Sequence, residues 1–266
     1  MKLFSIVLIF ITNVCFSQEP IQGDIMLGVA GYNGDLTKSM VTFKSLKPAI
    51  AVGIKFPVYG NFVFLRTGIA FGWISGDDKN NKSPSLSDRN LNFTSKILEG
   101  SLSLEVNLLD PNQFYGYPYL FAGVGLFHFN PYTKDNGGKK VFLWDLGTEG
   151  QGLAAYPDRK MYSLTQVCLP FGGGWRFKLN DQVDIGLEVA GRVLFTDYLD
   201  DVSTTYAAPQ VLLNARGPQA MELAYRYQQT SAVIEGRQRG NPKHKDWYFF
   251  SGIKLQYKFG AIFETQ

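Results

Sequence analysis

Five segments of the chain alternate strictly between apolar residues and small or polar ones; they are residues 49–56, 63–73, 97–109, 183–195 and 247–259. Because successive side chains of a strand point to opposite faces, a period of two predicts β-strands. Three weaker segments, residues 24–33, 117–129 and 161–177, raise the prediction to eight strands. Glycines inside nearly every segment argue against helices. Each segment is close to the 9–11 residues that a tilted strand needs to cross a bilayer.

The second face of these strands carries mostly Gly, Ala and Ser, with a few isolated charges. A soluble sheet would show charge over much of its solvent face, whereas the narrow lumen of a membrane barrel suits small residues and a few paired charges. Seven charged residues share the lumen face: Lys55, Arg66, Glu99, Glu105, Glu188, Arg192 and Lys254. They form either a polar relay through a channel or a network of ion pairs that plugs the barrel. The plug is favoured, because unpaired buried charge is costly and both signs are present in similar number.

The connections between the predicted strands alternate in length along the chain. The long ones are residues 34–48, 75–91, 130–160 and 197–246, and the short ones are 57–61, 110–116 and 178–182. Bacterial outer-membrane barrels have short periplasmic turns and long outer loops. The chain is therefore predicted to be all-β, an eight-stranded antiparallel up-and-down transmembrane β-barrel with both termini in the periplasm. In the last loop, Pro218 and the apolar stripe Ala220, Leu223, Ala224 and Tyr227 predict a helix.

The first residues have the features of a secretory signal peptide, with one Lys, an apolar run and small or polar residues up to Ser17. We predict a signal peptide over residues 1–17 and a barrel domain over residues 18–266. Cys15 raises lipidation as an alternative, although the residues before it match that pattern poorly. A formal net charge of +3, with Lys and Arg scattered, makes nucleic acid an unsuitable partner.

Three carboxylates lie close together in the sequence FTDYLDDVSTTY, residues 195–206: Asp197, Asp200 and Asp201. With Asp77 and Asp78 they offer enough oxygen ligands for a hard cation such as Ca²⁺. Asp residues at the start of a loop more often cap a turn, and that interpretation is favoured here. Catalysis is disfavoured, because neither of the two histidines, His128 and His244, has a neighbouring Ser.

Several motifs in order resemble a Bacteroidota outer-membrane β-barrel family that includes PorG, the barrel component of the type IX secretion system. They are YNGDL (32–36), SGDD (75–78), RNLNF (89–93), YPYLFAGVGLFHFNP (117–131), LGTEGQG (146–152), FTDYLDDVSTTY (195–206) and QRGNPKHKDWYFFSGI (238–253). The resemblance implies an integral outer-membrane protein that is not an enzyme and needs no cofactor. It also implies two partners, outer-membrane lipid and the periplasmic lipoprotein ring of the secretion machine. The alternative is a paralogous barrel whose outer loops bind a ligand or a surface partner.

Overall fold

Eight long strands form a closed barrel in the computed structural model, which describes residues 19–37, 43–81, 84–227 and 235–260. The strands of the described residues are β1 (Gln22–Asn33), β2 (Lys47–Tyr59), β3 (Val63–Asp77), β4 (Asn92–Asn107), β5 (Gly116–Phe129), β6 (Tyr132–Lys134), β7 (Lys140–Phe142), β8 (Thr165–Lys178), β9 (Val183–Leu194) and β10 (Trp247–Lys258). Sequential neighbours pair antiparallel around the ring β1–β2–β3–β4–β5–β8–β9–β10, and β10 pairs back to β1. The predicted eight-stranded up-and-down barrel is confirmed.

Two neighbouring strands, β3 and β4, extend further than the sequence predicts at the end that carries the long loops. β3 and β4 remain paired out to Asp77 and Asn92, so part of the predicted 75–91 loop is strand. The short hairpin of β6 and β7 lies in the 130–160 loop and joins the barrel through the pairing of Thr94 with Tyr132. The predicted signal peptide, residues 1–17, lies outside the described residues.

An apolar belt surrounds the barrel and is open to its surroundings. Every barrel strand contributes to it a large apolar residue that is 47% to 62% exposed: Leu27, Val52, Ile69, Leu102, Leu126, Phe171, Leu187 and Ile253. Soluble proteins rarely expose a continuous apolar surface of this size, and an outward apolar band is characteristic of barrels that cross the outer membrane. The protein is therefore an integral membrane barrel.

No helix in the described part of the chain is long and apolar enough to cross a membrane.

The described residues of the four long connections pack together over one end of the barrel; we call this assembly the cap. It contains the helices α1 (Pro84–Arg89), α2 (Pro209–Arg216) and α3 (Pro218–Ala224). α3 begins at Pro218 as predicted and buries Ala220, Leu223 and Ala224, but it ends before Tyr227. The sequence did not predict α2. One apolar core continues from Met26 and Phe127 inside the barrel to Leu223 in the cap, so the cap and the barrel share a core.

Candidate functional site

The lower lumen, toward the short turns, is organised around the carboxylate of Glu105. Arg176 donates two parallel hydrogen bonds to it, with Nη1–Oε1 at 2.7 Å and Nη2–Oε2 at 2.9 Å. Lys55 Nζ lies 2.8 Å from Oε1, and Arg66 Nη1 lies 3.6 Å from Oε2. The side chains of Lys55, Glu105 and Arg176 are at most 1% exposed. Water therefore does not reach this level of the lumen, and the forked Arg–carboxylate geometry fixes the three groups in place.

Glu188 is the centre of a second cluster, higher in the barrel. Arg66 donates to both of its oxygens at 2.8 and 2.9 Å, and Lys254 Nζ donates to Oε2 at 2.9 Å. Lys254 also contacts Asp24 at 3.0 Å. The hydroxyl of Tyr119 donates to Oε2 at 2.8 Å. Each carboxylate that is removed from water is thus paired with cations and hydrogen-bond donors, as buried charge requires.

Glu99 is the centre of a third cluster, close to the cap. Arg192 donates from Nε and Nη2 to its two oxygens at 2.8 and 2.9 Å, and Tyr248 donates to Oε2 at 2.7 Å. The structure therefore places all seven charged residues of the predicted lumen network inside the barrel, distributed over three carboxylate centres. These contacts span opposite walls of the barrel and leave side chains, rather than a water-filled channel, in its interior.

The cap is organised around one buried carboxylate, Glu149. It accepts hydrogen bonds from the backbone N–H groups of Ser203 and Thr204, both at 2.9 Å, and from the Thr204 hydroxyl at 2.7 Å. Two further groups donate hydrogen bonds to Glu149: the Tyr198 hydroxyl at 3.2 Å and Arg239 Nη1 at 3.1 Å.

The backbone around this carboxylate bends tightly at two glycines. Gly147 has φ 55° and Gly150 has φ 82°. Residues with a Cβ rarely adopt such angles, so the LGTEGQG motif needs glycine there to bring Glu149 into the cap.

Asp201 is the second fixed carboxylate of the cap. It accepts hydrogen bonds from the Thr148 hydroxyl at 2.5 Å and from the Tyr162 hydroxyl at 2.8 Å. Its backbone carbonyl accepts from Arg239 at 2.6 Å. Burial raises the pKa of Asp201 to about 6, although Arg239 and these donors oppose the shift.

Asp200 and Asp246 lie on either side of the Tyr32 hydroxyl. The hydroxyl donates to Asp200 and lies 3.4 Å from Asp246. Asp200 also accepts from the Val202 N–H, and Asp246 accepts from the Leu199 N–H, both at 2.9 Å. Burial, followed by the nearby carboxylates, raises the pKa of both Asp200 and Asp246 well above the ordinary value. Because like charges repel in a buried site, simultaneous ionisation of both carboxylates is disfavoured.

The alternative interpretation of the acidic residues was a cation site. The described residues contain no group of three or more His, Cys, Asp or Glu side chains placed to hold a metal ion. Asp77 accepts from the Lys79 N–H at 2.9 Å, and Asp78 pairs with Arg89 at 2.7 Å. Asp197 is buried beside Asp246, and burial raises its pKa to about 7. Asp77 and Asp200 fit the favoured interpretation, in which Asp side chains cap turns and anchor loops.

The motifs that resemble the outer-membrane family meet in this cap. Tyr32, Asp78, Glu149, Asp200 and Arg239 come from five different motifs, and all five are buried. A family model described as "Domain of unknown function (DUF6089)" matches residues 1–212. The chain belongs to the DUF6089 family. No curated protein matches it.

Solved structures that resemble this DUF6089 chain are bacterial surface barrels with very different sequences. Neisserial surface protein A is 12% identical with a TM-score of 0.42, and the match covers 91% of this chain and 98% of that one. Ail of Yersinia pestis, in complex with the heparin analogue sucrose octasulfate, is 8% identical with a TM-score of 0.44, and the match covers 91% and 99%. OprG of Pseudomonas aeruginosa is 12% identical with a TM-score of 0.40, covering 91% and 99%.

Some residues that hold the DUF6089 lumen together were missed from the sequence. Arg176 is the clearest example, and Asp24 and Asp184 are two others. The carboxylate of Asp184 accepts hydrogen bonds from the Tyr117 hydroxyl at 2.6 Å and from Lys258 Nζ at 3.1 Å. The signal was present, because Arg176 lies between two outward residues, Trp175 and Phe177, in strand β8. Because side chains alternate between the two faces of a strand, this position alone places Arg176 in the lumen.

His128 does not take part in a lumen or cap site. Its side chain faces outward from β5, and Nδ1 lies 2.9 Å from the Thr165 hydroxyl. An enzyme of the Ser/His type needs a third group that orients the imidazole beside the nucleophile. The cap contacts described above tie loops to one another.

Proposed function

We propose that this DUF6089 barrel is a non-enzymatic outer-membrane anchor and scaffold, a PorG-like component of the type IX secretion system. The observation that carries the proposal is the closed lumen, in which Arg176, Lys55 and Glu105 are shut off from water. A barrel that conducts solutes keeps a polar, water-filled interior. A barrel filled by fixed ion pairs is better suited to holding partners in place.

The sequence motifs support the same proposal. They resemble the barrel family that includes PorG, and the residues within them build the cap rather than an active site. In this proposal the short turns and both termini face the periplasm, where the lipoprotein ring of the secretion machine docks. Exposed aromatic side chains are available at this end, including Tyr59 at the end of β2 with 72% exposure and Tyr115 on a turn with 68%.

Deletion of the gene tests the secretion role. Secretion of cargo proteins is expected to fail in the deletion strain and to return when the wild-type gene is supplied. Normal secretion without the gene would contradict an essential role. Crosslinking in native membranes, followed by purification of the barrel, is expected to recover periplasmic lipoproteins.

A pair of variants locates the docking face. Tyr115→Glu on a short turn is expected to reduce recovery of the lipoproteins, because it places charge in an aromatic contact. Phe142→Glu serves as the control, since Phe142 is exposed on the hairpin of the cap. Equal recovery from both variants would show that Tyr115 is not part of the interface.

The runner-up is a surface receptor whose cap binds a ligand. The observation that favours it is a cleft of about 590 Å³ in the cap, lined by several cationic residues. Copurification separates the two functions, because a receptor is not expected to bring down periplasmic lipoproteins.

A further inference from the structure

The cleft lies where three parts of the cap meet the barrel. Its walls come from Asn33 at the end of β1, from Asp35 just after that strand, from α1 at Arg89, and from the segment 237–245. Trp247 Nε1 donates to Asn33 Oδ1 at 2.9 Å, which ties the cleft to the first residues of β10. The register pairs Trp247 with Val193, an exposed apolar residue of β9. The lower edge of the cleft therefore lies level with apolar residues on the outer face of the barrel.

The lining of the cleft carries an excess of positive charge. The cations are Arg89, Arg237, Arg239 and Lys245, and the lining residues include one carboxylate, Asp35. The charges of Arg89 and Arg239 are balanced by ion pairs with Asp78 and Glu149. Arg237 and Lys245 are exposed at the rim, next to the exposed Lys243 and His244.

Arg237 and Lys245, with Lys243 and His244 beside them, therefore form a basic rim that attracts an anion.

Arg237 is already oriented for such a contact. Its guanidinium lies over the ring of Tyr227, 5.1 Å from the ring centroid. The contact holds the guanidinium beside the ring, and the N–H groups of a guanidinium match the geometry of phosphate. At the floor, the Nε of Arg239 is buried and has no hydrogen-bond partner among the described residues.

We propose that this cleft binds the phosphorylated headgroup of an outer-leaflet glycolipid. The inference rests on the proposed orientation, in which the long loops lie outside the cell. A basic pocket at the membrane boundary is the physical means by which proteins select anionic headgroups. Lys and Arg pair with phosphate through charge-assisted hydrogen bonds, which are stronger than neutral ones. The lipid would link the cap to the membrane surface around the barrel.

The test uses the purified full-length barrel in nanodiscs of neutral phospholipid. Lipid A with both phosphates, and the same lipid A after phosphatase treatment, are titrated in at low salt and measured by native mass spectrometry. We expect clear preference for the phosphorylated form, and weaker binding as salt rises. The double variant Arg237→Gln with Lys245→Gln is expected to bind about thirtyfold more weakly, from two lost contacts near the membrane surface.

The matched control is Lys139→Gln with Lys140→Gln, which removes two exposed cations from the β6–β7 hairpin and is expected to leave binding unchanged. Both double variants change exposed side chains, and a heat-modifiability gel verifies that each barrel is folded. Equal binding of the two lipid forms, or no loss in the Arg237 and Lys245 variant, would overturn the proposal. Full competition by millimolar inorganic phosphate would also overturn it, in favour of a site for free phosphate. Failure of the secretion assay would leave this lipid measurement unaffected, so the two proposals fail separately.

Discussion

Glu149 stabilises the cap in a different way from the carboxylates of the lumen. Glu105 is balanced mainly by cations, whereas Glu149 is held by backbone N–H groups, hydroxyls and a single guanidinium. Its donors come from residues 198–204 and from Arg239, which lie far apart in sequence. One side chain therefore joins three segments of the cap.

Glu149→Gln is expected to loosen the cap without unfolding the barrel. The amide keeps the size of the side chain, but its NH₂ group faces N–H donors, and Arg239 loses its counterion. Removing one partner of a buried ion pair costs about 3–5 kcal/mol. Hydrogen exchange over residues 198–206 should accelerate accordingly. The control is Glu235→Gln, which changes an exposed carboxylate that accepts from Tyr156. Unchanged exchange in Glu149→Gln would show that the cap does not depend on this contact.

Asp197 gives the cap a pH dependence. Burial raises its pKa to about 7, and the groups around it are Asp35, Glu149 and Asp246 on the acidic side and Lys245 on the basic side. An unfolded Asp titrates near pH 4. The folded cap therefore holds this proton more tightly than the unfolded chain does.

Cap stability should accordingly fall as pH rises from about 4 to 7, and it should level off above that. Asp197→Asn is expected to flatten this dependence and to stabilise the cap at pH 8. The pH dependence of cap stability is measured by hydrogen exchange of residues 198–206, corrected for the intrinsic exchange rate at each pH. Asp181→Asn, on an exposed short turn, is the control. An identical pH profile in the wild type and in Asp197→Asn would contradict the assignment.

At the level of elements, the predictability of each strand follows the clarity of its alternation. β2, β3, β4, β9 and β10 have bulky apolar residues at nearly every second position, and their location was predicted closely. β8 was predicted only as a weak segment because Gly172, Gly173 and Gly174 interrupt its pattern. For the same reason Arg176 was not recognised as a lumen residue, although its position in the alternation points inward.

The cap contacts were beyond sequence reasoning for a physical reason. Tyr32 and Asp200 are separated by 168 positions, and Glu149 and Arg239 by 90. No periodicity relates residues so far apart in loops, because loop conformation depends on what the loop packs against. The acidic residues 197–201 are close in sequence, but Asp200 and Asp201 accept hydrogen bonds from different partners.

Arg176→Met should destabilise the barrel strongly. Methionine fills similar space, but Glu105 loses its bidentate partner in a layer that water does not reach, at a cost of about 3–5 kcal/mol. Urea unfolding of the barrel in lipid vesicles, followed by tryptophan fluorescence, provides the measurement. Lys178→Met is the matched control, because Lys178 lies two residues away on the same face of β8, at the open mouth. An equal loss of unfolding free energy in the two variants would mean that the Glu105 cluster makes no specific contribution to barrel stability.

On the scale of the whole molecule, the barrel and the cap behave as one folded unit with two different ends. The cap end is closed by the shared apolar core, and the other end carries the three short turns at residues 60–62, 108–115 and 179–182. The secretion proposal requires the short-turn end to face the periplasm, and the lipid proposal requires the cap to face outward. Both therefore depend on a single orientation.

Two cysteine variants test that orientation directly. Asn136→Cys lies at the exposed tip of the cap hairpin, and Asn112→Cys lies on an exposed short turn. The native Cys168 is buried in the barrel wall and should stay unlabelled. A membrane-impermeant maleimide added to intact cells is expected to label Asn136→Cys and to leave Asn112→Cys unlabelled until the outer membrane is permeabilised. Labelling of both variants after permeabilisation verifies that each thiol is accessible. The reverse pattern in intact cells would place the cap in the periplasm and would contradict the scaffold and lipid proposals together, because each assigns its partner to a specific side of the membrane.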